Sequence, residues 1–280
     1  MSEYDVVHLH GMHVVRHGSR QAPPLLLIHG SGASGATWSP VVPALAGHHH
    51  VIQVDLPGCG QSPPVPSYEV PLQARRAADM LDDLGLCPVA VAGHSSGGYV
   101  ATALAEQRPE LVSSLTLISS GPRPDALLPQ PFVVQALTAP PLGPVLWSMR
   151  SDGMIRKGFR ATAARQVDIP DELVAGMKGI TYRAFRKVLH ENGTYIAERS
   201  VPERLAALKT PVPVLVIFGA ADPRWDPASA HQYDAVPNAR VELLPGVGHT
   251  PMLEAPEATG ELMVAFTATG AGSPPVVPET

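Results

Sequence analysis

The sequence has very few cysteines, and this scarcity excludes a disulfide-stabilised fold. Among 280 residues, only Cys59 and Cys87 are cysteines, which is too few for a disulfide framework. Cys59 falls in a predicted turn, and Cys87 stands just before a predicted strand. We therefore expect two free thiols in a reducing compartment.

Long apolar runs and clusters of basic residues are also missing. No apolar run approaches the ~20 residues of a membrane-spanning helix, and residues 1–5 do not resemble the start of a signal peptide. The formal net charge is −5 and lysine and arginine form no run, so nothing favours nucleic acid as a partner. We expect a cytoplasmic protein that binds neither a membrane nor a nucleic acid, and its oligomeric state stays open.

What the chain does contain is a regular alternation of apolar strands and helical segments. A hairpin of two short strands is predicted over residues 6–9 and 12–16, joined at Gly11. The later predicted strands are 25–28, 51–55, 89–93, 115–118, 214–218 and 240–244, and the helices are 37–46, 70–84, 97–105, 227–235 and 256–267. This order predicts an α/β fold with a mostly parallel, doubly wound sheet covered by helices on both faces.

The alternation stops after Gly121 and resumes near residue 209. Between these points, proline interrupts short helical patterns at residues 132–137, 142–149, 154–164 and 171–189. We therefore predict a core of residues 1–121 and 209–269 and an inserted helical cap of residues 122–208. Residues 270–280 are rich in Pro, Gly and Ser, which predicts a flexible tail.

The most informative stretch is Gly93-His94-Ser95-Ser96-Gly97. It lies between a predicted strand and a predicted helix and has the form G-x-S-x-G of a nucleophile elbow. A serine on so tight a turn takes a strained backbone conformation, and the positions two before and two after it must lack side-chain bulk. The pattern therefore makes Ser95 the candidate nucleophile.

Two later residues supply the partners that a serine nucleophile needs. Its hydroxyl requires a base that takes the proton, and the base requires an acid that orients it. Asp222 and His249 each follow a predicted strand. Because the carboxyl ends of parallel strands meet at one edge of a sheet, we expect both to converge on Ser95. Asp226 and Asp125 are the alternative acids.

Five motifs together resemble those of the α/β-hydrolase superfamily, at residues 29–32, 55–62, 93–98, 219–223 and 248–249. The resemblance covers residues 6–267 and implies a capped serine hydrolase. In this family an elbow serine attacks an acyl carbon, a late histidine is the general base and a carboxylate orients it. By resemblance, these roles fall on Ser95, His249 and Asp222, and neither a cofactor nor a metal is required.

The same resemblance extends to the groups around the nucleophile. It assigns the oxyanion hole to the backbone N–H groups of Ser31 and Ser96. It also makes the cap the roof of an apolar substrate pocket, with Trp147 as a candidate substrate-binding residue.

The expected reaction is cleavage of a carboxylic ester or lactone of a hydrophobic small molecule through an acyl-enzyme. Carbon–carbon bond hydrolases of the meta-cleavage type use the same Ser-His-Asp set and are one alternative. Those relatives often carry a tryptophan shortly after the histidine, whereas Thr250 and Pro251 follow here. A ligand receptor or a biosynthetic tailoring protein on the same fold is the other alternative.

Two further patterns suggest different chemistry. Gly30 to Gly35 spells G-x-G-x-x-G after a predicted strand, and Asp55 follows Gly35 by 20 residues, as in dinucleotide-binding oxidoreductases. A dinucleotide-binding oxidoreductase is a remote alternative, because it does not explain the nucleophile elbow or the later Asp222 and His249. Histidines at positions 8, 10, 13 and 48–50 invite a metal site, but no cysteine or carboxylate stands beside them at zinc spacing. We expect solvated surface histidines.

Overall fold

A computed structural model describes residues 4–130 and 139–268. Its centre is one sheet of eight strands: β1 (Tyr4–Leu9), β2 (Met12–His17), β3 (Pro24–Ile28), β4 (His50–Asp55), β5 (Val89–His94), β6 (Val112–Ile118), β7 (Val214–Gly219) and β8 (Ala239–Leu244). They lie side by side in the order β1-β2-β4-β3-β5-β6-β7-β8. The order reverses between β3 and β5, and this crossover is the position at which doubly wound sheets bind ligands.

The sheet is antiparallel only at one edge. β1 pairs with β2, and β2 with β4, in antiparallel register, and from β4 to β8 every pairing is parallel. The hairpin turns at His10 and Gly11, whose φ angles are 51° and 76°, as a two-residue hairpin turn of primed type requires. The prediction of a mostly parallel, doubly wound α/β sheet is confirmed.

The described residues form ten α-helices: α1 (Val42–Ala46), α2 (Val70–Asp83), α3 (Gly97–Gln107), α4 (Gly143–Ser148), α5 (Asp152–Arg160), α6 (Asp171–Gly179), α7 (Tyr182–Glu198), α8 (Val201–Ala206), α9 (Pro251–Glu254) and α10 (Pro256–Ala268). Helices α4 to α8 lie between β6 and β7, and we call this part of the chain the cap segment. Four 3-10 helices add Gly35–Trp38, Pro109–Leu111, Pro124–Ala126 and Pro227–Ala235.

Helices cover the sheet on both faces because its central strands are apolar on both sides. Successive side chains of a strand point to opposite faces. Leu26 of β3 accordingly packs in one core with Leu81 of α2, whereas Leu27 packs in a second core with Leu45 of α1 and Met263 of α10. Beyond its first residue, β3 is fully buried.

Several predicted helices have different bounds in the structure. Residues 171–189 do not form one helix, because α6 ends at Gly179 and Thr181 starts α7 by accepting a hydrogen bond from the N–H of Ala184 at 3.1 Å. Residues 37–46 form a 3-10 turn followed by α1, since Pro40 supplies no N–H to a continuous helix. Residues 227–235 are 3-10 rather than α. The predicted helix 132–137 and tail 270–280 lie outside the described residues.

Both cysteines are free. Cys59 is buried, and burial together with the charge of Asp55 raises the pKa of its thiol to about 12. Cys87 is exposed and precedes β5, at the end of the strand away from Ser95. Across the described ranges, no helix is both long and apolar enough to cross a membrane.

Candidate active site

Ser95 lies on a strained turn between β5 and α3. Its φ is +51°, a conformation that a residue with a side chain rarely adopts. The turn is held by the end of β6 and the residues after it. The carbonyl of Ile118 accepts the Ser95 N–H at 2.8 Å, and the hydroxyl of Ser120, two residues beyond β6, donates to the Ser95 carbonyl at 2.8 Å. A Cβ on Gly97 would lie 2.4 Å from the Ile28 carbonyl oxygen. The elbow therefore requires glycine at position 97.

The structure brings Ser95, His249 and Asp222 into one hydrogen-bonded row. The Ser95 Oγ lies 3.2 Å from His249 Nε2, and His249 Nδ1 lies 2.8 Å from Asp222 Oδ2. The N–H groups of Arg224 and Trp225 donate to the other Asp222 oxygen at 2.7 and 3.2 Å. These contacts set the imidazole with a proton on Nδ1 and a lone pair on Nε2 toward the serine.

The two alternative acids are elsewhere. Asp226 is exposed and caps a 3-10 helix by accepting the N–H of Ala228 at 3.0 Å. Asp125 pairs with Arg123 at 3.0 Å, and its side chain is 70% exposed. Of the three candidates, Asp222 is the one in contact with His249.

Ser31 and Ser96 lie together beside the nucleophile. Within the described part of the chain, their backbone N–H groups have no hydrogen-bond acceptor. Their side chains are joined, with the two Oγ atoms 2.8 Å apart. The Nδ2 of Asn192, on α7 of the cap segment, donates to Ser31 Oγ at 2.9 Å. The sequence analysis did not identify Asn192, because nothing in the local sequence of α7 distinguishes it from an amide side chain on the surface.

A small cavity adjoins this trio of polar side chains. Its other walls are mostly apolar and come from both the core and the cap segment: Leu56, Pro57, Cys59, Val100 and Val188. The cavity lies beside Ser96 and has room for about one water molecule.

His94 connects the elbow to the loop of His249. It is buried, its Nε2 donates to the His249 carbonyl at 2.9 Å, and the two rings are 5.1 Å apart. Burial, reinforced by the neighbouring His249, lowers the pKa of His94 to about 3. His94 therefore stays neutral near the site. His29 is also buried, and burial lowers its pKa.

Trp147 makes its described polar and aromatic contacts within the cap segment. Its indole N–H donates to the Ile180 carbonyl at 2.9 Å, and its ring stacks on Phe185 at 4.5 Å. The guanidinium of Arg150 covers the same ring at 4.0 Å. Its role as a substrate-binding residue stays a prediction. Several other apolar residues of the cap segment are exposed to solvent: Leu142, Val145, Met149 and Met154.

The glycine-rich stretch after β3 serves the fold. Asp55 Oδ1 accepts the Gly35 N–H at 2.7 Å, and its Oδ2 accepts the Gln61 N–H at 2.8 Å. Both carboxylate oxygens of Asp55 are therefore already occupied, and the ribose of a dinucleotide would have to displace these backbone N–H groups. The expectation of solvated histidines is wrong for His13 and for the pair 49–50, which are buried. Among the described residues, no group of three potential ligands could hold a metal ion.

Comparison with known proteins identifies the family. The sequence model of the alpha/beta hydrolase family matches residues 25–262. The chain belongs to this family. It is therefore a hydrolase, with the eight-stranded sheet typical of the fold.

Relatives extend along most of the chain. An uncharacterised protein of Mycobacterium tuberculosis is 31% identical over 274 residues, covering 89% of this chain and 79% of the relative. A pimeloyl-[acyl-carrier protein] methyl ester esterase of Aeromonas hydrophila is 29% identical over 88% of this chain and 96% of its own. The crystal structure of a membrane phospholipase A, a bacterial virulence factor, superposes with a TM-score of 0.77 at 26% identity, covering 96% of this chain and 86% of that chain.

Proposed function

We propose that the protein hydrolyses a carboxylic ester or lactone of a hydrophobic small molecule through an acyl-enzyme. The observation that carries this proposal is the row Ser95–His249–Asp222, with contacts of 3.2 and 2.8 Å, beside two N–H groups that have no acceptor among the described residues. Nucleophile, base, orienting acid and oxyanion donors are thus all available.

In the proposed reaction, Ser95 Oγ attacks the acyl carbon and passes its proton to His249 Nε2. The charge that develops on the carbonyl oxygen is stabilised by the N–H groups of Ser31 and Ser96. As the bond to the leaving oxygen breaks, His249 returns the proton to the departing alcohol, and Asp222 stabilises the imidazolium in between. Water, deprotonated by His249, then cleaves the acyl-enzyme and releases the acid.

An esterase and a phospholipase among the relatives support ester cleavage. Carbon–carbon bond hydrolysis and ligand reception stay as alternatives on the same fold. Two free cysteines agree with the proposed cytoplasmic location, because thiols persist in a reducing compartment.

The proposal is tested by labelling and by turnover. A fluorophosphonate probe followed by peptide mapping should label Ser95 alone, and the wild type should hydrolyse p-nitrophenyl esters. Ser95→Ala should lower kcat by about 10⁴-fold or more, since it removes the attacking group. Ser113→Ala, at an exposed position of β6, is the matched control and should behave as wild type. A label elsewhere, or full activity in Ser95→Ala, would overturn the assignment.

A further inference from the structure

The proposed mechanism leaves one buried carboxylate near the site without a role. Glu254 lies at the end of α9, and its side chain accepts five hydrogen bonds. Its Oε2 accepts the N–H groups of Gly248 at 2.7 Å, Ala164 at 2.7 Å and Arg165 at 3.3 Å. Its Oε1 accepts the N–H and the hydroxyl of Thr250 at 3.0 and 3.2 Å. Within the described ranges, no cation pairs with this carboxylate.

Three of these donors, the Gly248 N–H and the N–H and hydroxyl of Thr250, belong to the residues on either side of His249. The backbone of His249 is also paired, because its N–H donates to the Thr162 carbonyl at 2.9 Å and its carbonyl accepts from His94 at 2.9 Å. The imidazole is thus carried by a backbone that Glu254 holds at the preceding residue, Gly248, and at the following residue, Thr250. Hydrogen bonds to a charged acceptor are roughly twice as strong as those between neutral groups.

The other two donors belong to the cap segment, between α5 and α6. This stretch touches the His249 loop so closely that a Cβ on Gly248 would lie 2.6 Å from the Ala164 nitrogen. The Arg165 side chain adds bonds of 2.9 Å to the carbonyls of Pro245 and Gly246. One carboxylate therefore joins the cap segment to the loop of the proposed base.

We infer that Glu254 is a positioning residue that fixes His249 against Ser95 and couples this alignment to the cap segment. The inference rests on the proposed function. Its physical basis is that all five donors point at carboxylate oxygens. A glutamine of equal size keeps one oxygen and turns an N–H₂ group toward N–H donors, which repels them and lets the His249 loop shift.

The test is Glu254→Gln, with Glu257→Gln as control, because Glu257 lies exposed on the following helix. Hydrolysis of p-nitrophenyl butyrate is measured per active site, with the number of sites counted by fluorophosphonate labelling. Since displacing a catalytic group by about 1 Å costs on the order of 10²-fold, kcat per site should fall roughly 10- to 100-fold. KM should stay within about twofold of wild type, because substrate contacts are unchanged.

A purely structural role gives a different result. Partial unfolding lowers the number of labelled sites and leaves kcat per site unchanged, and that outcome overturns the inference, as does a rise in KM alone. If Glu254→Gln does not fold, Glu254→Asp retains the charge but withdraws both oxygens by one methylene. It should show the same selective loss of kcat per site, and wild-type kcat there overturns the inference as well.

Failure of the proposed function would be visible separately. A wild type that neither hydrolyses esters nor reacts with the probe contradicts the esterase proposal. The positioning role is then read from proton NMR of the His249 Nδ1–H, whose hydrogen bond to Asp222 is 2.8 Å. Its resonance should be lost or moved in Glu254→Gln and retained in Glu257→Gln. An unchanged resonance in Glu254→Gln overturns the positioning role.

Discussion

At the scale of single residues, the polar chain Asn192–Ser31–Ser96 is the feature that most directly shapes the site. The side-chain amide of Asn192 in the cap segment donates to the hydroxyl of Ser31, and this hydroxyl is hydrogen-bonded to that of Ser96, which directly follows Ser95. The side chains at the proposed oxyanion hole are therefore oriented by a neutral donor, which itself adds no negative charge beside the charge that develops on the substrate oxygen.

Asn192→Asp reverses this arrangement and should lower kcat at least tenfold, equivalent to about 1.4 kcal/mol of transition-state stabilisation. The new carboxylate accepts from Ser31 and opposes the charge that forms on the substrate oxygen. Steady-state kinetics on a p-nitrophenyl ester measures the effect. Asn238→Asp makes the same chemical change at the exposed turn before β8 and should leave kcat unaltered. Equal kcat in both variants would count against an oxyanion hole at Ser31 and Ser96.

At the scale of elements, the glycines of the elbow and of α7 differ in whether the surrounding structure leaves space for a side chain. Gly97 has no room for a side chain, since a Cβ there would meet the Ile28 and His29 carbonyl oxygens at 2.4 and 2.6 Å. Gly193 lies within α7, and a Cβ there would meet nothing within 4 Å. The first glycine is required by packing, whereas the second only weakens its helix.

Gly97→Ala should accordingly lower the free energy of unfolding by about 2–3 kcal/mol, because backbone cannot yield as a flexible side chain would. Gly193→Ala should raise it by about 0.5–1 kcal/mol through helix propensity. Urea unfolding of both variants checks the pair. Equal and small effects would show that the elbow relaxes to admit a methyl group.

Sequence patterns at this scale predicted the sheet and the positions of Ser95, Asp222 and His249, because strand ends and glycine-flanked turns are local in sequence. Asn192 and Glu254 could not be found in the same way. Asn192 matters only because the fold places α7 next to Ser31, and Glu254 only because two distant loops meet at its carboxylate. The break between α6 and α7 was hidden by continuous helical periodicity across Thr181.

At the scale of the whole molecule, buried neutral histidines link stability to pH. Burial lowers the pKa of His29, His49, His50 and His94. Each remains unprotonated in the folded state where the unfolded chain already binds a proton. Stability should therefore decrease as pH falls below the ordinary histidine value of 6.5, and for His94 the decrease continues toward pH 3.

The contribution of His94 between pH 6.5 and 5 is about 1.6 kcal/mol, because the unfolded imidazole is half protonated at pH 6.5 and the slope approaches about 1.4 kcal/mol per pH unit only at lower pH. Urea unfolding at both pH values measures the total change. His94→Gln should reduce that change by roughly this amount, and the exposed His48→Gln should leave it as in the wild type. An identical pH dependence in His94→Gln would mean that His94 takes up its proton in the folded protein.

The unequal surroundings of the two thiols have a practical consequence for attaching the molecule to a surface or a dye. Cys59 is shielded, and its high pKa leaves it almost entirely unreactive toward maleimides at neutral pH. Cys87 is accessible, and the six residues of β5 separate it from Ser95 by about 20 Å. Immobilisation through Cys87 would thus orient every molecule with its pocket facing the solution.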